Sequence, residues 1–196
     1  MIDTPESYYV TTNLTGAPTR PGISIEASDA TLDLGGFTLL GVTGALEGIL
    51  AGNSATLSEC SAIDNGMNGI YVNIGSTISA CTALGNSSNG ISAVHGGNSI
   101  HACTTRNNSG DGIATAAGTV VRYTSTSNGD DGIDASFSSR VTQCASVFNL
   151  EDGIQVTFDD RVAENNCDRN RNMGGGQGGN SRHQLRQPDR RNRRVR

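Results

Sequence analysis

Asn68-Gly69-Ile70, Asn89-Gly90-Ile91, Asp111-Gly112-Ile113, Asp131-Gly132-Ile133 and Asp152-Gly153-Ile154 are one short pattern written five times. The Gly-Ile pair also stands at Gly22-Ile23 and Gly48-Ile49, and from Gly48 onward its steps are 21, 21, 22, 20 and 21 residues. Three further columns share the period. One is aliphatic: Leu57, Ile78, Ile100, Val120, Val141 and Val162. Another holds Cys60, Cys81, Cys103, Tyr123 and Cys144, with Cys167 close to phase. The last is Asn65, Asn86, Asn107, Asn128, Asn149 and Asn170, each 21 residues from the next. Several residue types keeping one register define a repeating structural unit, which composition bias cannot produce.

Each period contains about three short segments, such as Gly69-Ile70-Tyr71-Val72, Thr77-Ile78-Ser79-Ala80-Cys81 and Thr82-Ala83-Leu84-Gly85. They alternate apolar and polar residues, so Ile70 and Val72 point inward and Tyr71 outward. No stretch carries a helical period of useful length. Three short strands per coil, each paired with its copy one coil on, give a parallel β-helix. Equivalent side chains then stack ~4.8 Å apart, and Asn in a turn can bond its copy on the next coil. A leucine-rich repeat fails because its L-x-x-L-x-L run is missing, and a hexapeptide helix fails because 21 is not a multiple of six. The expected fold is all-β, a right-handed parallel β-helix of about seven coils over residues 20–172. Residues 1–19 read as an N-terminal cap with a strand around Tyr8–Thr12, and residues 173–196 as a Gly/Arg-rich disordered tail.

Composition agrees. The 196 residues include 26 Gly, 4 Pro and no Trp, and 35% are hydrophobic, so no core of large aromatics can form. No apolar run approaches the ~20 residues of a membrane span. The opening Met1-Ile2-Asp3-Thr4-Pro5 lacks the basic and apolar regions of a signal peptide. All 14 cationic residues are Arg. Up to Asp168 there are 18 acidic residues against five Arg, a net of −13, and from Arg169 onward nine Arg against one Asp, a net of +8. The acidic body excludes nucleic acid and anionic membrane as its partners, whereas the Arg-rich tail could contact polyanions.

The Asn-Gly-Ile and Asp-Gly-Ile coils resemble the right-handed β-helix repeats of the pectin-lyase-like superfamily. Ser7–Gly16 and Ala30–Leu39 are similar to the first coil of a bacterial branch of it, so the resemblance covers roughly residues 5–170. It implies the fold, an extracellular or cell-surface setting and a polysaccharide partner. Active members are mostly polysaccharide lyases, hydrolases and epimerases, some of which use Ca2+. Two readings therefore stand: a monomeric carbohydrate-associated binding or scaffold module, or an enzyme acting on an acidic glycan.

The acidic residues are where chemistry could sit. Asp130, Asp131 and Asp134, with Arg140, are the catalytic candidates. Asp111, Asp131, Glu151 and Asp152 are the metal candidates, because stacked carboxylates either protonate or share a cation such as Ca2+. Turn chemistry explains the same column without function, since Asn and Asp before Gly both favour turns. Asn128-Gly129-Asp130-Asp131-Gly132-Ile133 resembles the Asp-Asp segment of polygalacturonase-like glycosidases, which implies paired carboxylates doing acid and base work. The rest of that motif set fails: His95-Gly96 lies upstream instead of downstream, Asn-Thr-Asp is missing, and there is no Lys. Arg140 and Arg161, one period apart, are expected in surface salt bridges with Asp159 or Asp160. His95 and His101 share no column and receive no role.

Five Cys cannot pair fully, and stacked copies in parallel strands point the same way, which is poor disulfide geometry. With no C-x-x-C the cysteines read as small buried apolar residues. Cys167, on the last coil, is expected to be the reactive one.

Overall fold

The computed structural model describes residues 1–171, so the Arg-rich tail lies outside the described residues. The described chain is a right-handed parallel β-helix of three sheets with eight, eight and seven strands. Each coil runs through sheets B, C and A in that order, and the last described coil ends in sheet C. Sheet B starts with Ser7–Tyr9 and ends with Arg161–Ala163; sheet C runs from Leu14–Thr15 to Asn166–Asp168; sheet A runs from Ile23–Ile25 to Ile154–Val156. All pairings are parallel and in register, for example Ile91 with Ile70 and with Ile113.

The helix has about eight turns, one more than the periodicity suggests. Ser7–Tyr9 pairs with Thr31–Asp33, and Leu14 with Leu39, so the segment expected to be a cap is itself a first coil. It escapes the period because the early coils are long: Ser7 pairs with Thr31, and Thr31 with Thr56.

The interior is a set of side-chain stacks. Ile49, Ile70, Ile91, Ile113, Ile133 and Ile154 form one; Leu32, Leu57, Ile78, Ile100, Val120, Val141 and Val162 form another. Sheet C contributes small residues, Ala62 and Ala83, then turns polar at Thr105, Ser125 and Ser146. There the ring of Tyr123 occupies the interior, and its hydroxyl bonds Thr105 Oγ1. Burial pushes the Tyr123 phenol well above its ordinary range. The Gly before each Ile is set by close approach. A Cβ on Gly112 would sit 2.5 Å from the Gly132 carbonyl and 2.5 Å from Tyr123 Oη.

From the third coil on, the chain turns between sheets B and C through a single left-handed residue. That position is Glu59, Ala80, Ala102, Arg122, Gln143 and Glu164, with φ between 50° and 59°. Only the residue after it packs inward, which is why Cys60, Cys81, Cys103 and Cys144 are buried and free. The thiols cap the stack: the N–H of Cys60 bonds Cys81 Sγ, and that of Cys81 bonds Cys103 Sγ, both at 3.4 Å.

Two sequence expectations need correction. Cys167 pairs with Ser146 in sheet C and so leaves the cysteine column, where Asn165 takes its place by accepting the Cys144 N–H at 2.8 Å. Cys167 is also buried, and burial pushes its thiol up to about 12, which leaves little thiolate for chemistry. In the Asn column, the ladder member is Asn108 and not Asn107. Asn108 accepts from the N–H and the side-chain amide of Asn86, while Asn107 is an exposed left-handed corner residue.

Candidate functional site

The acidic column precedes the strands of sheet A and forms a second ladder. Asn68 Oδ1 accepts the N–H of Asn89 at 3.2 Å, and Asn89 Oδ1 that of Asp111 at 2.9 Å. Asp111 Oδ1 accepts from Asp131 at 3.1 Å, and Asp131 Oδ1 from Asp152 at 2.7 Å. Each side chain thus satisfies the backbone donor of the next coil, which either Asn or Asp can do. The Asn65–Asn170 ladder on the same turns runs the other way, with each side chain accepting from the coil before it.

Asp111 and Asp131 nevertheless differ from their Asn equivalents. Carboxylate oxygens of Asp111, Asp130 and Asp131 lie within 4.8 Å of one another. Burial pushes Asp111 and Asp131 up to about 7, against the pull of the backbone N–H bonds, and neighbouring carboxylates add to the rise. Asp134 points outward from Ile133–Ser136 and is also raised, by burial first and then by Asp130 and Asp160. Three close carboxyls of this kind can share protons or hold a hard cation. Of the four metal candidates the geometry therefore brings together Asp111 and Asp131, with Asp130 added. Glu151 turns away to pair with Arg171 at 2.8 Å, and Asp152 ends the ladder with a buried Oδ1 that has no partner among the described residues.

Arg140 stands apart from the other three catalytic candidates. It opens the strand Arg140–Thr142 of sheet B, whereas Asp134 lies on sheet A. Its register partner is Arg161, and both side chains are exposed. The expected salt bridges are not formed. Among the described residues the only ion pairs are Arg169–Asp168 and Arg171–Glu151. Asp160 is instead buried, accepting the N–H groups of Ser139 at 2.6 Å and Thr157 at 2.7 Å.

The outer row of sheet A is Tyr71, Ser92, Ala114, Asp134 and Gln155 in continuous register. Ser92 and Ala114 face outward yet are only 6% exposed. Next to them Tyr71 Oη and His95 Nε2 make a hydrogen bond of 2.6 Å, with the rings edge-on at 6.0 Å. Sequence reasoning missed this pair because His95 sits in the loop after a strand, where no column exists. The 22-residue step from Gly90 to Gly112 was the available signal, since it marks extra chain in that coil.

No protein-family model matches the chain, and no curated protein does either. Solved structures do. A double mutant of the periplasmic alginate epimerase AlgG superposes with a TM-score of 0.64 at 16% identity, over 77% of this chain and 38% of that one. Pectate lyase Pel9A superposes with a TM-score of 0.58 at 11% identity, over 89% of this chain and 67% of that one. The fold is that of the pectin-lyase-like β-helices. At this identity the likeness is one of fold. The β-helix spans 38% of the epimerase's length, so a shared scaffold does not carry that protein's site with it.

Proposed function

We propose that this β-helix is a polysaccharide-binding module, acting as a monomer outside the cytoplasm, with the outer face of sheet A as its primary contact surface. The observation that carries this reading is the continuous outer row from Tyr71 to Gln155. It offers an aromatic ring at one end, small residues in the middle and polar groups along the Asp130–Asp134 edge. Such a strip suits an extended chain of rings, which needs apolar contact on its faces and hydrogen bonds at its hydroxyls.

A second reading is catalysis, and the Tyr71–His95 hydrogen bond favours it. A phenol and an imidazole hydrogen-bonded at 2.6 Å, with the raised carboxyls of Asp111 and Asp131 just ahead of strands of the same sheet, are residue types that acid–base catalysis uses. Binding remains the preferred function because the set is incomplete for an acidic glycan. No Arg stands on the outer row of sheet A to neutralise a substrate carboxylate, and Arg140 lies on sheet B.

The test is a screen of acidic and neutral glycans, with and without Ca2+, for binding, for new reducing ends and for unsaturated products. Saturable binding without product is expected. Turnover abolished by Asp131→Ala or Tyr71→Phe, with folding intact, would replace the binding reading by the catalytic one.

A further inference from the structure

Two consecutive coils carry the same four-residue arrangement: Phe137-Ser138-Ser139-Arg140 and Phe158-Asp159-Asp160-Arg161. Both copies turn the corner from sheet A to sheet B. Phe137 and Phe158 are 62% and 60% exposed, and their rings stack with centroids 6.2 Å apart and an interplanar angle of 28°. A stacked pair left in water is an uncovered apolar shelf. Three residues on, Arg140 and Arg161 are register partners on adjacent strands of sheet B, both exposed, and neither is in an ion pair among the described residues. The nearby Asp160 is buried and bonded to two backbone N–H groups, and neither it nor the exposed Asp159 makes an ion pair with either Arg among the described residues.

The backbone supports reading this corner as built. Phe137 holds φ 56°, a left-handed conformation that a bulky side chain rarely adopts. The hydrogen bonds from Gly97 to Ala117 and from Ala117 to Ser136 show that the same turn is made by Gly96 and Ala117 on earlier coils, both left-handed. Those coils present no ring there. A phenylalanine kept exposed in a conformation suited to glycine points to a contact made through its ring.

We infer that this corner is an anionic-glycan grip, separate from the outer face of sheet A. The Phe137–Phe158 shelf takes the apolar C–H faces of successive sugar rings, and the Arg140–Arg161 pair takes their carboxylates. Charge complementarity selects the occupant. Two Arg on adjacent strands, in register and with no ion pair among the described residues, match carboxylates repeated along a polymer, and each guanidinium can bind a carboxylate bidentately. A bare anion would satisfy the Arg pair and leave the shelf uncovered; a neutral glycan would do the reverse. The corner shares with the outer face of sheet A only the class of partner, and its grip stands whether or not sheet A also binds glycan.

Calorimetric titration of the full chain tests it with three probes: an oligouronate, its methyl ester, and polyphosphate. The oligouronate is expected to bind saturably, the ester and polyphosphate at least tenfold more weakly. Arg140→Gln with Arg161→Gln should abolish the salt dependence of binding, and Phe137→Ala with Phe158→Ala should weaken binding tenfold while keeping that dependence. Circular dichroism and melting temperature establish that the variants fold. Undetectable oligouronate binding, or parent-like binding by both corner variants, would overturn the proposal. Polyphosphate binding as tightly as oligouronate would also overturn it, by reducing the corner to a bare cationic patch. Loss confined to a Tyr71→Phe, Asp134→Asn variant would overturn it as well, while leaving the sheet-A reading intact.

Discussion

The carboxylate of Asp131 accepts the backbone N–H of Asp152 one coil on, at 2.7 Å, while only 4% of Asp131 is exposed. One residue thus serves as a ladder rung, as Asn does in earlier coils, and carries a charge that its burial opposes. That conflict makes the acidic column pH-sensitive.

Because Asp111 and Asp131 are pushed up to about 7, the folded protein holds protons there that the unfolded chain has released above about 4. The unfolded state binds fewer protons in this window, so these two groups make stability fall as pH rises from about 4 to about 7, and level off beyond it. Asp131→Asn keeps the acceptor for Asp152 and removes the charge. It should raise the melting temperature at pH 8, by on the order of 1 kcal/mol of stability, and flatten the pH profile. An unchanged profile in thermal melts from pH 4 to pH 8 would show that the carboxyl is not perturbed.

The two candidate ladder asparagines give a sharp contrast. Asn108 is buried and bonds Asn86, Asn128 and the Ala83 carbonyl, whereas Asn107 is exposed. Asn108→Ala leaves buried donors and acceptors unpaired and should cost about 2–4 kcal/mol. Asn107→Ala should cost under about 1 kcal/mol, mostly from its left-handed backbone. Urea denaturation of the pair decides it, and equal losses would refute the placement of Asn108 in the ladder.

Corner residues between sheets B and C offer a gain. Ala80 and Ala102 sit at φ 52° and 53°, where an L side chain is strained. Ala80→Gly and Ala102→Gly should each stabilise by roughly 0.5–1 kcal/mol, after the entropy cost of glycine is subtracted. A lowered melting temperature in both variants would count against the corner geometry.

Inward and outward positions should also separate cleanly. Ile91→Ser buries an unpaired hydroxyl and opens a void in a fully buried stack, and should cost about 3 kcal/mol or more. Tyr71→Ser, on the outer row one coil earlier, should cost under about 1.5 kcal/mol, the worth of a half-exposed ring and its bond to His95. Equal shifts in melting temperature would mean that the two faces are misassigned.

The sequence alone determined the β-helix, its three strands per coil, the inward columns and the outward Tyr71, because a solenoid translates each side chain onto its copy and writes geometry as period. It held more than a fixed spacing of 21 extracts. The Gly-Ile steps of 22 and then 20 residues already place Asn108, and not Asn107, in the ladder. Tertiary structure alone decided what happens where the period breaks. The long first coil and the loop that brings His95 onto Tyr71 both lie where coil length varies, and no column marks them. It also decided which charges meet. Sequence proximity set Arg140 among the aspartates, but a strand that turns a corner points its side chains from another face. Asp111, Asp130 and Asp131 therefore converge beside sheet A, and Arg140 stands with Arg161 on sheet B.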